Sequence, residues 1–232
     1  MTTNARQSVI ESVWYGQEPF LGFPRGLYQT DIQGWQSGHP YLREAVAAVR
    51  PRIVVEIGVW KGASAITLAS ALKDLAVDGV VIAVDTWLGS WDHWLNRQWF
   101  DHLAFEAGMP QLYRKFVQNV VDRGVDGYVV PLPLDSANAQ VVLSRHNLSI
   151  DVLHIDAAHN HSSVMSDLRL WWPLLRPGGI LLGDDYTDDG AWPEVREAYD
   201  EFFASKCLTP IEHFGRKCRV KKPVGQDATV AP

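Results

Sequence analysis

The fold is decided by one stretch of the chain, Ile53-Val54-Val55-Glu56-Ile57-Gly58-Val59-Trp60-Lys61-Gly62-Ala63-Ser64. Its β-branched start predicts a buried strand over 52–57, and residues 63–73 predict a helix. Glycine joins the two, and because it has no Cβ it lets a ligand approach the backbone closely. The N–H groups that open the helix would then face that ligand. The stretch therefore predicts a nucleotide-like molecule at the carboxyl end of a strand.

The chemistry of that ligand is narrowed by the pattern of the turn, Glu-x-Gly-x-x-x-Gly. Neither the dinucleotide pattern Gly-x-Gly-x-x-Gly nor the phosphate-loop pattern is present. A carboxylate beside the turn would repel a pyrophosphate and suit a cationic group instead. We therefore expect S-adenosylmethionine, which carries an ammonium and a sulfonium, bound by Glu56, Gly58, Lys61, Gly62 and Ser64. An ordinary strand–turn–helix without a ligand is the alternative.

Composition and charge limit the classes of protein to which this chain can belong. The 232 residues suit one α/β domain with additions, and 47% of them are hydrophobic. The net charge of −6 gives no support for binding to nucleic acid or to an anionic membrane. The N-terminal residues contain no apolar signal core, so we expect a cytoplasmic protein. The only cysteines, Cys207 and Cys218, are too few for a disulfide scaffold.

Strand and helix patterns alternate from residue 52 onward. Strands are predicted at 52–57, 80–84, 128–131, 151–155 and 180–182, each followed by a helix. This alternation predicts an α/β fold with a Rossmann-like, doubly wound sheet that is mostly parallel. Residues 209–214 and 217–221 flank a turn and predict a C-terminal antiparallel hairpin.

The first 50 residues do not fit this alternation. Aromatic residues alternate there with glycine and proline, and a helix is predicted over 39–49. We expect region 1–50 to cap the pocket or to contact another subunit of a homo-oligomer; packing on the flank of the domain is the alternative. The ten tryptophans of the chain likewise favour an aromatic-lined pocket or a partner surface. The α/β domain would span 51–222, and the tail over 223–232 is expected to be disordered.

Acidic residues fall at nearly every predicted strand end, where sheets of this kind bind their ligands. Asp85 ends the second strand and is placed to accept hydrogen bonds from ribose hydroxyls, with Thr86 and Trp87 beside it. A capping role is the alternative for Asp85. Asp135 and Ser136 follow the third strand and would meet the adenine or its ribose, or else begin a helix as its N-cap.

A second acidic cluster comprises Asp156, after the fourth strand, with Asp184 and Asp185 after the fifth. Three close carboxylates repel one another unless a proton or a cation lies between them. A hard divalent ion removes that conflict, so we expect Mg²⁺ at these three residues, with calcium or manganese as alternatives. Zinc is less suited, because its sites usually include histidine or cysteine. Asp156 would also contact the cofactor.

His159 is the candidate general base. It lies three residues beyond Asp156, and an imidazole titrates near neutral pH and can take a proton from a hydroxyl. A helix-start or packing role is its alternative, and His161 competes for the catalytic role. His154 sits inside a strand, where we expect it to point into the packing of the sheet.

With these residues in view, the chain resembles class I S-adenosylmethionine-dependent methyltransferases. It resembles more closely the macrocin O-methyltransferase and cephalosporin-hydroxylase-like branch, which is metal-dependent. The resemblance covers about residues 52–221 and is carried by 55–64, by 153–159 and by the segment from Leu175 to Tyr186.

The resemblance implies roles for residues already named: cofactor binding by Glu56, Gly58 and Asp85, Mg²⁺ binding by Asp156, Asp184 and Asp185, and proton abstraction by His159. Relatives often carry Glu-Asp where this chain has Asp184-Asp185, and the shorter side chain would lengthen one metal contact or replace it with water. The first 50 residues match no family pattern and are expected to choose the substrate.

The expected reaction is O-methylation of a small molecule: a sugar, a glycosylated natural product or a phenol. A deprotonated substrate oxygen would attack the sulfonium methyl in line. A metal-independent methyltransferase directed at nitrogen or a carboxyl group is one alternative, and a non-catalytic cofactor-binding partner in an oligomer is another. A hydroxylase is poorly supported, because no triad of two histidines and a carboxylate is apparent. No nucleic-acid or membrane partner is expected.

Overall fold

The computed structural model describes residues 4–225. Its strands are β1 (Ile53–Ile57), β2 (Val80–Val84), β3 (Val129–Leu132), β4 (Ile150–Ile155), β5 (Leu175–Gly183), β6 (Glu212–Phe214) and β7 (Lys217–Lys221). They form one seven-stranded sheet in the order β3-β2-β1-β4-β5-β7-β6. Strands β1 to β5 are parallel, whereas β7 runs antiparallel to both β5 and β6. The predicted mostly parallel sheet with a C-terminal hairpin is confirmed.

Helices cover both faces of this sheet. They are α1 (Ala5–Val13), α2 (Pro40–Val49), α3 (Ala63–Asp74), α4 (Trp91–Leu95), α5 (Arg97–Phe100), α6 (Leu112–Asp122), α7 (Ser136–Arg145), α8 (His161–Trp171) and α9 (Pro193–Ala204). One hydrophobic core joins the sheet to α1, α7, α8 and α9, and the other joins it to α2, α3 and α6. The parallel part of the sheet is buried on both sides, which explains why strands such as β2 and β3 are continuous apolar runs.

The parallel order reverses between β1 and β4, which are neighbours although β2 and β3 intervene in the sequence. At such a switch point the connections that leave the two strands run to opposite faces, so a crevice opens at their carboxyl ends. The glycine turn after β1 and the acidic segment after β4 therefore border one crevice.

Four local features differ from the sequence prediction. Helix α1, capped by Asn4, was not expected, and neither were the short helices α4 and α5 in the long connection that precedes α6. The sequence pattern predicts a helix over 162–175, but α8 ends at Trp171, because Pro173 cannot donate the next helical hydrogen bond. Strand β5 begins earlier than predicted, at Leu175, which pairs with Ile150.

The predicted disordered tail falls mostly on 226–232, which lie outside the described residues. Within 4–225, no helix combines the length and the apolar character needed to cross a membrane.

Candidate active site

The turn after β1 is packed so closely that it requires glycine. Gly58 has φ +81°, and a Cβ at this position would lie 1.9 Å from the carbonyl oxygen of Asp156. Gly62 has φ +90°, and its Cβ would lie 2.7 Å from the ring of Phe116. Both values of φ lie in the left-handed region that side chains disfavour. The turn therefore brings the ends of β1 and β4 together with no side chain between them.

A cleft of about 240 Å³ opens at this junction. Of the residues predicted to bind a cofactor, the structure brings these to its walls: Gly58, Asp85, Thr86, Asp135, Ser136 and Asp156. Trp60, Ser90, His93 and Leu112 also line the cleft and were not predicted. Its place at the switch point and its bare glycine turn fit a nucleoside cofactor such as S-adenosylmethionine.

Asp85 lines the cleft while it holds the glycine turn. Its Oδ2 accepts hydrogen bonds from the backbone N–H groups of Val59, at 2.8 Å, and Trp60, at 2.9 Å. Its Oδ1 accepts one from the N–H of Trp87, at 2.7 Å. Burial raises the pKa of Asp85, although these three hydrogen bonds favour its charged form. The carboxylate therefore performs the capping role that was its alternative, and binding to ribose stays a prediction.

Glu56 lies behind the cleft rather than in it. Its side chain is fully buried on β1, and its Oε1 accepts hydrogen bonds from the hydroxyl of Ser64 and from Nδ1 of His154, at 2.9 Å. Burial raises the pKa of Glu56 to about 8. The structure thus gives no geometric support to the predicted contacts of Glu56 and Ser64 with a cofactor.

Three further predicted residues also support the turn from behind. The ammonium of Lys61 donates to Asp31 Oδ2, at 2.5 Å, and to His102 Nδ1, at 2.9 Å. Trp87 is buried and donates from Nε1 to the backbone oxygen of Trp60, at 2.9 Å. Gly62 is buried in its contact with α6. None of the three lines the cleft, so their direct contact with a cofactor stays a prediction.

Asp135 and Ser136 line the far end of the cleft. Asp135 is the N-cap of α7, since its Oδ1 accepts the N–H of Asn138 at 2.9 Å. The hydroxyl of Ser136 donates to Asp167 and accepts from Nε1 of Trp171, at 2.8 Å. Burial raises the pKa of Asp167 to about 6. The N-cap alternative is confirmed for Asp135, and a contact with adenine stays a prediction.

A second cavity of about 430 Å³ adjoins the cleft and shares Gly58, Trp60, His93, Asp156 and Ala157 with it. Its remaining walls are aromatic or polar: Trp35, Gln36, Asp92, Trp99, His159, Asp184, Asp185, Trp192 and Arg216. The expectation of an aromatic-lined pocket is confirmed. Part of the wall comes from region 1–50, whose function as a cap stays a prediction.

His159 stands in the wall of this second cavity. Its Nε2 lies 3.1 Å from Asp185 Oδ2, its Nδ1 lies 3.5 Å from Asp92 Oδ2, and its ring stacks on Trp192 with centroids 4.1 Å apart. Burial alone would lower the pKa of His159, but the hydrogen bonds and charges of the two carboxylates outweigh it and raise the pKa.

The competing histidine lies elsewhere. His161 begins α8 and pairs with Glu201 at 3.0 Å on the exposed side of the two helices. Of the two histidines that compete for the catalytic role, His159 is therefore the one that lines the cavity. Sequence reasoning missed Asp92, whose signal was an acid next to Trp91 in the tryptophan-rich connection.

The three acids predicted to hold Mg²⁺ do not converge as expected. Ligand atoms of Asp156 and Asp184 lie within 4.8 Å of each other and of His154, so the third member of the group is the histidine. Asp185 is instead directed toward His159 and lies 4.0 Å from Arg216. His154 is buried inside the sheet, as predicted, and its Nδ1 is hydrogen-bonded there to Glu56.

A cation of the protein already lies at this group. The ammonium of Lys217 is buried, donates to Asp184 Oδ2 and lies 3.0 Å from His154 Nε2. A divalent ion placed among the same atoms would meet that ammonium as a like charge. The residues in this arrangement therefore do not fit Mg²⁺.

Comparison with known proteins places the chain in a family. A family model described as "Methyltransferase domain" (Methyltransf_24) matches residues 55–186, which is more than half of the chain. The chain is also 29% identical over 166 residues to "Uncharacterized protein y4gI" of Sinorhizobium fredii (strain NBRC 101917 / NGR234), covering 70% of this chain. The matched part spans only 15% of the length of that relative.

Solved structures share the fold at low sequence identity. The O-methyltransferase TomG of Streptomyces achromogenes, in complex with SAM, matches with TM-score 0.58 and 16% identity over 96% of this chain and 91% of its own. The O-methyltransferase NovP matches with TM-score 0.56 and 22% identity over 81% and 80%. An O-methyltransferase of Bacillus cereus, in complex with SAH, matches with TM-score 0.55 and 17% identity over 94% and 98%. At these identities the likeness establishes the fold.

Proposed function

This chain belongs to the S-adenosylmethionine-dependent methyltransferases, and from that premise we propose that it methylates a hydroxyl oxygen of a small molecule. One observation carries the proposal: His159 stands between two carboxylates in the cavity that adjoins the cofactor cleft. The structures of similar fold described as O-methyltransferases support oxygen as the acceptor atom.

The cofactor would occupy the cleft beside Gly58 and Asp156. When bound, S-adenosylmethionine supplies a methyl group on a positively charged sulfur. The bare turn at Gly58 lets a ligand approach the backbone, and the cleft walls open at Asp156 toward the second cavity. An acceptor in that cavity would meet the methyl group where the two cavities join. Holding both reactants there is a large part of catalysis.

His159 would accept the proton of the acceptor hydroxyl. Its Nε2 contact with Asp185, at 3.1 Å, orients the ring, whereas the 3.5 Å contact of Nδ1 with Asp92 is at the limit of a hydrogen bond. We therefore assign the proton-accepting role to Nδ1, whose contact is the weaker of the two. The two carboxylates then stabilise the imidazolium that forms, as the buried carboxylate does in a catalytic triad.

The walls of the second cavity suit an acceptor with flat or sugar-like faces. Trp35, Trp99 and Trp192 offer broad aromatic surfaces, and Asp92 and Arg216 offer hydrogen-bond acceptors and donors. A sugar, a glycosylated natural product and a phenol all meet these conditions. The acidic walls also favour a second candidate, an amine acceptor, whose nitrogen would be methylated without a metal.

Magnesium enters this proposal only as a requirement to be tested. The Mg²⁺ predicted from the sequence would need Asp184, which is engaged by Lys217. No step of the proposed mechanism passes through a metal. Turnover that survives EDTA would support that mechanism, and a loss that Mg²⁺ restores would reinstate the predicted requirement.

The proposal also covers the localisation, partners and oligomeric state of the protein. We expect a cytoplasmic enzyme with a small-molecule acceptor, no nucleic-acid or membrane partner, and a homo-oligomeric state. Light scattering on the purified protein tests the oligomeric state, with a monomer as the contradicting result.

The decisive experiment is an acceptor screen. The protein would be incubated with methyl-labelled S-adenosylmethionine and panels of sugars, nucleotide sugars, phenols and amines. S-adenosylhomocysteine formation and the mass of the product would be measured, and calorimetry would report cofactor binding. An O-methyl product supports the proposal, and an N-methyl product favours the second candidate. Binding without transfer supports a non-catalytic partner, and absence of cofactor binding overturns the whole assignment.

A further inference from the structure

Lys217 is a buried cation that the proposed mechanism does not use. It begins β7, in the terminal hairpin that packs against β5, and 0% of its residue surface is exposed. Burying an ammonium is strongly unfavourable unless anions and hydrogen-bond acceptors surround it. Such a residue therefore needs partners, and those partners are at the active site.

The partners of Lys217 are Asp184 and His154. An ammonium carries only donors, so Nε2 of His154, 3.0 Å away, must accept. The proton of the imidazole is then on Nδ1, which donates to Glu56 Oε1 at 2.9 Å. His154 is thus a neutral link in a hydrogen-bonded chain.

This chain crosses the sheet beneath the site. It runs from Asp184, after β5, through Lys217 on β7 and His154 on β4 to Glu56, which is the register partner of His154 on β1. Glu56 in turn accepts the hydroxyl of Ser64, in the first turn of α3. The glycine turn and the acidic cluster are therefore joined through a single buried network.

The carboxylate of Asp184 is neutralised without a further ion. It is paired with the buried ammonium of Lys217. Asp156 stands beside Asp184, and Nε2 of His154 lies beside the same ammonium. The ammonium therefore occupies the position among these side chains that a divalent ion would need.

We propose that Lys217 is the resident cation of this active site. Its ammonium neutralises Asp184 at the place where a metal-dependent enzyme would hold a divalent ion, and the group formed by His154, Asp156 and Asp184 therefore binds no such ion. Lys217 is a positioning residue: it holds the orientation of Asp184, which lines the acceptor cavity. The proposal concerns the same cavity as the proposed function and does not depend on the identity of the acceptor.

The test is a titration of Mn²⁺, followed by electron paramagnetic resonance, into the wild-type protein and two variants. Lys217→Met removes the buried ammonium. Lys221→Met is the matched control, because it removes an equal charge from an exposed position on the same strand. Thermal unfolding and calorimetry with S-adenosylhomocysteine establish that each variant is folded.

The wild type and Lys221→Met should show no Mn²⁺ site with a Kd below about 1 mM. Lys217→Met should gain a site at least about tenfold tighter, which a further Asp184→Asn change abolishes. A folded Lys217→Met protein with no gain overturns the proposal. A wild-type Mn²⁺ site with a Kd below about 1 mM that Asp184→Asn removes also overturns the proposal. If Lys217→Met does not fold, the wild-type titration decides alone. No acceptor enters this experiment, so its failure and that of the acceptor screen are separate.

Discussion

Asp185 holds the imidazole of His159 by a contact of 3.1 Å between Oδ2 and Nε2. Asp185 has φ +55°, a left-handed conformation that non-glycine residues rarely adopt and that aspartate tolerates better than most. Such strained conformations concentrate at functional sites. Here the conformation accompanies a carboxylate that is directed away from the Asp184 pair and toward the histidine.

Replacing His159 tests the general base. His159→Gln should lower turnover by about 10²- to 10⁴-fold, because the hydroxyl proton loses its acceptor. Affinity for S-adenosylhomocysteine, measured by calorimetry, should stay nearly constant, since His159 does not line the cofactor cleft. His161→Ala is the control and should leave both quantities unchanged. Unchanged turnover in His159→Gln would remove the residue from the mechanism.

The pH profile follows from the carboxylates around His159. The base acts in its neutral form, so turnover should rise with pH and level off above the raised pKa of His159. Asp92→Asn removes one charge that favours the imidazolium. The pKa of His159 should therefore fall, and the rising limb of the profile should move to lower pH. Histidine NMR titration measures the pKa directly, and a limb that stays in place would contradict this account.

Gly58→Ala tests the closeness of the glycine turn. The added Cβ would meet the Asp156 carbonyl oxygen in a left-handed backbone conformation. We expect a loss of at least about 2 kcal/mol in the free energy of unfolding, measured in urea, and loss of cofactor binding. Gly127→Ala is the control, because its Cβ would meet nothing within 4 Å and its φ is ordinary. Equal effects in the two variants would refute the steric argument.

Ionisation of the buried Glu56 should lower the stability of the folded protein as the pH rises. Its pKa is about 8 in the folded protein against 4.5 for an ordinary glutamate, so between those values the folded state binds more protons than the unfolded state. Stability then decreases with pH across that window. Glu56→Gln removes this group, and its melting temperature should depend less on pH there than that of the wild type. Exposed Glu11→Gln is the control.

The Glu56→Gln variant also bears on the cofactor. A large loss of affinity for S-adenosylhomocysteine would reinstate the direct contact predicted for this carboxylate. If the affinity of Glu56→Gln for S-adenosylhomocysteine stays within about threefold of the wild-type value, the carboxyl group acts only through the buried network.

Trp35 tests the function of the N-terminal region. It lines the acceptor cavity and meets Trp99 edge to face, with ring centroids 5.0 Å apart. Trp35→Ala should raise the KM for the acceptor by about tenfold through lost aromatic contact, and cofactor affinity should stay constant. Tyr15→Ala, at an exposed position of the same region, should change neither. An unchanged KM would leave region 1–50 without a role at the pocket.

The sequence by itself determined the sheet and the place of the cleft. Alternating apolar strands and helices predict a doubly wound sheet because each element must bury its apolar face. The glycine turn and the acids at the strand ends then mark one edge of that sheet. Local patterns therefore sufficed to bring Gly58, Asp85 and Asp156 to one cleft and His159 to the adjoining cavity.

Only the tertiary structure decided the partners of those residues. Lys217 lies 33 positions from Asp184, at the start of β7, and nothing in a local pattern marks a lysine as buried. The direction of Asp185 depends on its backbone conformation, and Asp92 reaches His159 from a helix in a separate connection. Charge balance is set by distances between groups remote in sequence, and for that reason a cluster of acids that predicts a metal can instead enclose an ammonium.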